Sequence, residues 1–110
     1  MEAVAQQHGA CLAFLQMAIE IVRHHHERWD GTGYPDGLVG DSIPLAARMV
    51  TIADVYDAMR SKLVYKPGLS HSAVKRLMGY VAPGHFDPAL MVAFQQSEAN
   101  FEQIFEETKD

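Results

Sequence analysis

The chain has 110 residues, the length of one domain with a core of modest size. Its composition, 48% hydrophobic and 21% charged, is that of a globular protein. No apolar run approaches a bilayer span and no basic-then-apolar leader follows Met1, which predicts a soluble, cytoplasmic protein. The net charge of −5 argues against general nucleic-acid binding, and the single cysteine, Cys11, excludes an internal disulfide framework and leaves any metal to His and carboxylates.

Residues 1–13 are polar and weakly patterned and are read as a flexible or irregular N-terminus, with the folded domain at 14–110. Phe14, Ala18, Ile21, Val22 and His25 recur at three- and four-residue spacing, which predicts a helix ending near the His run. Gly31, Gly33, Pro35, Gly37 and Gly40 then force a ten-residue loop. Asp41-Ser42-Ile43-Pro44 has the form of a helix start, a capping side chain followed by Pro in the first turn. A second helix is expected from about Pro44 to Ser61, striped by Leu45, Met49, Ile52, Ala53, Tyr56 and Met59. Ser70 caps a third, carrying Val74, Leu77, Met78 and Val81, which Pro83-Gly84 breaks. Asp87-Pro88 opens the last helix, striped by Leu90, Met91, Phe94, Phe101, Ile104 and Phe105. The expected fold class is all-α, with about four helices and one Gly/Pro-rich loop. Charge is uneven, since residues 98–110 hold five acids and one base.

The chemistry concentrates in His24-His25-His26-Glu27 and in Asp54 and Asp57. Imidazole with carboxylate is the ligand set for Zn, Mn or Fe. A His run at a helix end also suits the helix dipole, so the run alone is consistent with either role. Adjacent helical residues point about 100° apart, so neighbouring imidazoles would serve two nearby ions rather than one. Glu27 is either a hydrogen-bonding partner behind a metal-bound His or a surface charge. Asp30 before Gly31 suits an Asx-type turn. Asp54 sits on an otherwise apolar helix, where a carboxylate requires a metal or an ion pair, and Asp57 follows one turn later. His8, His71 and His85 are read as structural or surface residues.

The stretch His25-His26-Glu27-x-x-Asp30-Gly31-x-Gly33-Tyr34-Pro35-x-Gly37-Leu38-x-Gly40 resembles the signature of the HD-GYP domain family. Ile43-Pro44-Leu45-Ala46-x-Arg48, Ile52-Ala53-Asp54-Val55-Tyr56-Asp57-Ala58, Tyr65-Lys66 and Phe86-Asp87-Pro88 with Phe94 extend the resemblance from about Phe14 to the C-terminus. The resemblance implies an all-helical, metal-dependent bacterial phosphodiesterase that hydrolyses cyclic di-GMP with two or three Fe or Mn ions. It implies His25, His26 and Asp54 as metal ligands and Lys66 on a substrate phosphate; Glu27 and Asp57 are read from their positions as carboxylates behind those ligands or as surface charges. It also implies Gly33, Tyr34 and Pro35 as a loop that docks GGDEF-domain partners.

Two departures qualify that inheritance. The family's upstream half carries a His-Asp pair, a nearby Lys and two further His ligands, and no His-Asp dipeptide occurs here. The chain therefore reads as the C-terminal portion of the domain, inactive by itself. Leu63 also stands where the family commonly has an Arg that clamps phosphate. A half-domain leaves apolar faces uncovered, which predicts an oligomer. The alternative to a partial enzyme is a non-catalytic module that binds a GGDEF-type partner through the Gly33-Tyr34-Pro35 loop.

Overall fold

The computed structural model describes residues 2–62 and 66–109, with side chains from residue 9 onward. Its elements are α1 (Glu2–His24), a short 3-10 turn (Gly40–Ser42), α2 (Leu45–Arg60), α3 (His71–His85) and α4 (Pro88–Thr108). No strand of a sheet forms among the described residues, and the all-α expectation holds. Leu63 and Tyr65 lie outside the described residues.

The irregular segment expected at residues 1–13 is instead helical from Glu2 onward. Ala3, Ala5, Gln6, Gln7, Ala10, Leu12 and Ala13 are good helix formers, so backbone propensity carries the helix where amphipathic patterning is absent. The helix start expected at Asp41-Ser42 is displaced. Those residues form the 3-10 turn, Pro44 occupies the N-cap of α2, and no side chain caps it. The two later starts are as predicted: Ser70 Oγ accepts from the Ala73 N–H, and Asp87 accepts from the Ala89 N–H with Pro88 in the first turn. Pro83 and Gly84 leave helical geometry and kink the end of α3.

α2 is the hub, in contact with α1, α3 and α4. The core comprises Ile52 and Tyr56 of α2, Val74 and Met78 of α3, Phe86, and Met91 and Phe94 of α4. Phe101 and Phe105 pack edge-on against Tyr56. The expected α2 stripe is only half right. Ile52 and Tyr56 are buried, but Leu45, Met49 and Ala53 face outward, and Ala47, Thr51 and Arg60 take the inner positions. Arg60 is buried with partners on its own helix and on α4, although its Nε is left without one. It donates to the Tyr56 hydroxyl (2.8 Å) and to Glu106 (2.8 Å), and its guanidinium lies 4.3 Å above the Phe105 ring. It is thus committed to the fold and is not free to replace a phosphate-clamping Arg.

α1 departs from the rest. From Gly9 to Glu20 every side chain is exposed, including Leu12, Phe14, Leu15 and Ile19, each at 60% or more. Among its described side chains, only those at the C-terminal end meet the bundle, and the molecule is elongated, 52 × 34 × 30 Å.

Candidate metal centre

The C-terminal end of α1 places His24, His25 and His26 at the point where the chain turns into the Gly-rich loop. Thr51 Oγ1 of α2 lies 2.9 Å from the His25 carbonyl and 2.8 Å from the Ala47 carbonyl of its own helix and shares its one proton between them, which sets this end of α1 against α2 one turn before Asp54. The His25 ring is oriented by its own helix. Its Nδ1 lies 2.9 Å from the Ile21 carbonyl and 3.1 Å from the Val22 carbonyl. Carbonyls only accept, so Nδ1 carries the proton and the Nε2 lone pair is left outward, the tautomer that binds metal. His26 stacks on Tyr34, with ring centroids 4.9 Å apart and planes 15° off parallel.

Asp54 and Asp57 are exposed on the same side of α2, and neither has an ion-pair partner among the described residues. Asp54 is exposed because α2 turns Ala53, Asp54, Asp57 and Ala58 to solvent. His25, His26 and Asp54 do not converge as one tight group. The described residues instead bring together His24, Glu27 and Asp36, whose ligand atoms all lie within 4.8 Å of one another. His24 belongs to the His run that the sequence marks out, but not to the ligands that the resemblance implies; Asp36 is not marked out by the sequence at all. The signal for them is the i, i+3 spacing of His24 and Glu27; Asp36 is brought in only by the loop.

Glu27 is buried and organises the loop. Its Oε2 accepts from the Asp36 N–H (3.0 Å) and its Oε1 from the Leu38 N–H (3.0 Å). Its imidazole neighbour is His24, not the His25–His26 pair. Asp36 in turn receives both Nε (3.1 Å) and Nη2 (2.9 Å) of Arg23. Asp30 makes the expected Asx turn, accepting from the Thr32 N–H and hydroxyl, and these bonds hold its carboxyl below the usual range. The loop is further tied to α3, through Trp29 N–H to the His85 carbonyl and Asp30 N–H to the Gly84 carbonyl. Burial, helped by the Arg28 charge, lowers the pKa of the His85 imidazole. Lys66 spends one ammonium donor on the Ala58 carbonyl (3.0 Å), leaving two of its three for other acceptors.

Imidazoles and carboxylates gathered at one helix end are the ligand types that a divalent metal takes. The chain matches the HD domain family over residues 5–90 and belongs to it. It is 44% identical, over all of its length, to a probable cyclic di-GMP phosphodiesterase of Vibrio cholerae, covering 25% of that protein. A cyclic di-GMP phosphodiesterase of the same organism is 46% identical over 98% of the chain, which covers 22% of it. The cyclic di-GMP phosphodiesterase response regulator RpfG of Xanthomonas campestris pv. campestris is 46% identical over 87% of the chain, which covers 25% of it. The chain thus spans about a quarter of the length of these relatives.

Proposed function

We propose that this chain is the C-terminal portion, within residues 14–110, of an HD-GYP-type phosphodiesterase acting on cyclic di-GMP, and that it is inactive alone. The observation that carries the reading is identity of 44–46% to proteins so named, joined to a His25 ring whose outward nitrogen is free to ligate. His25, His26 and Asp54 would hold Fe or Mn ions, with Asp57 beside them. Bound ions would supply a water of lowered pKa and neutralise charge on the phosphodiester. The chain's own contribution is orientation. Thr51 and the Ile21 carbonyl fix His25, Tyr34 fixes the plane of His26, and Lys66 has donors left for a phosphate oxygen. Glu27 acts one step removed, by holding the loop that carries Tyr34.

The same loop supports docking of a GGDEF-domain partner, because Tyr34 and Pro35 are exposed on a backbone that Glu27 pins. The apolar exposure of α1 supports self-association in a cytoplasmic setting.

The reading is tested by replacing the matching segment of the Vibrio cholerae relative with this chain and measuring cyclic di-GMP hydrolysis. The chimera is expected to be active, and His26→Ala or Asp54→Ala within it to lose at least a hundredfold. A folded, metal-loaded chimera without hydrolysis overturns the proposal.

A further inference from the structure

We propose that His24, Glu27 and Asp36 form a second cation site, separate from His25, His26 and Asp54, which takes a zinc-type divalent ion and fastens the Gly-rich loop to the end of α1. This rests on the cluster's own geometry and not on the phosphodiesterase reading.

Spacing is the first argument. His24 Nδ1 lies 3.4 Å from Glu27 Oε2 and 3.6 Å from Asp36 Oδ2. Those separations are long for N–H···O bonds, whose lengths peak near ~2.9 Å. They match the ~3.4 Å edge of the tetrahedron that metal–ligand bonds of about 2.1 Å generate around zinc. The third separation, between the two carboxylates, is within 4.8 Å.

Unused valence is the second. Glu27 Oε2 accepts one backbone bond, from Asp36, and Asp36 Oδ2 accepts one, from Arg23 Nε. A carboxylate oxygen has two acceptor positions, so Asp36 Oδ2 retains one, while the second position of Glu27 Oε2 faces His24 Nδ1 itself at 3.4 Å. Among the described residues, His24 Nδ1 meets these two carboxylates and no other side-chain partner.

Burial and charge are the third. The side chains of His24 and Glu27 are 11% and 0% exposed, whereas Asp36 is 34% exposed and leaves an entry path and room for a water as fourth ligand. Two carboxylates against one guanidinium and a neutral imidazole leave a net negative charge in a partly desolvated setting, where a cation is held more strongly than in bulk water. The two backbone bonds to Glu27 mean that little ordering remains to be done on binding. Because Asp36 belongs to the loop and His24 to α1, an ion there would join them and stabilise the folded state by mass action.

The test uses the untagged chain, stripped with chelator, and zinc titrated by calorimetry with a parallel thermal melt. One zinc per chain and a zinc-dependent rise in Tm are expected. His24→Gln and Asp36→Asn should each weaken binding at least tenfold and abolish the rise. The double variant His25→Ala/His26→Ala should keep the affinity within about threefold. Asp36, being partly exposed, keeps the test decisive if His24→Gln fails to fold. The proposal is overturned if the wild-type chain takes up no zinc, if Asp36→Asn binds as tightly as wild type, or if binding is lost in the double variant.

Discussion

Glu27 shows how one buried carboxylate can set the course of a loop. Both its oxygens accept backbone N–H bonds, and its side chain has no solvent exposure. Glu27→Gln turns one acceptor into a donor facing a backbone N–H, and a buried group left without its partner costs about 1–3 kcal/mol. Urea denaturation should show a loss of that size, and an unchanged midpoint would contradict the assigned role. His85 is the residue whose titration should be visible. Burial lowers its folded pKa, so in the window just below an unfolded imidazole's ~6.5 the unfolded chain binds more protons than the folded one. Stability is then fully present above that value and falls as pH drops through the window. The Tm should decline as pH falls below about 6.5, and His85→Gln should flatten that slope. A slope as steep in the variant as in the wild type would assign it elsewhere. The depressed carboxyls of Asp30, Glu98 and Glu106 add losses of the same sign at lower pH.

At the scale of elements, α3 links the core to the loop. Its buried face, Val74 and Met78, sits in the core, and its kinked end receives the Trp29 and Asp30 N–H groups. His71 ties its start to both neighbours, to the Tyr56 hydroxyl at 2.8 Å and to the Glu98 carboxylate. Met78→Ala should cost about 2–5 kcal/mol by leaving a cavity among α2, α3 and α4, measurable by chemical denaturation. The kink depends on Gly84, at φ +93°, where an added Cβ would meet Asp30 Oδ2 at 2.8 Å. Gly33 is tighter still, since a Cβ there would come within 2.6 Å of the backbone at His26, Glu27 and Arg28. Gly33→Ala should therefore displace the loop while sparing the core. Trypsin cleavage at Arg28 should accelerate with little change in far-UV circular dichroism, and equal cleavage rates would show that the loop absorbs the change.

For the whole molecule, the contrast is between a packed three-helix core and α1. Exposed patches as large as that formed by Leu12, Phe14, Leu15, Met17, Ile19 and Val22 mark association surfaces. Light scattering after gel filtration should give a mass above that of one 12.2 kDa chain at tens of micromolar. Leu15→Glu/Ile19→Glu should shift it to the monomer. A wild-type monomer at that concentration would remove the self-association proposal without touching the core.

The helical class, the breaks at Gly/Pro clusters, the caps at Ser70 and Asp87, and the paired imidazoles are legible in the sequence, because these follow from local backbone preference and spacing. The sequence did not determine which face of a helix is buried. Leu45 and Met49 carry the apolar pattern yet lie outside, while Arg60 lies inside, because partners on α4 decide burial and period alone does not. Nor did it join His24 to Asp36, which stand twelve positions apart with a turning loop between them. Only the tertiary structure, through Glu27's hold on two loop N–H groups, folds that loop back and brings its carboxylate to the imidazole.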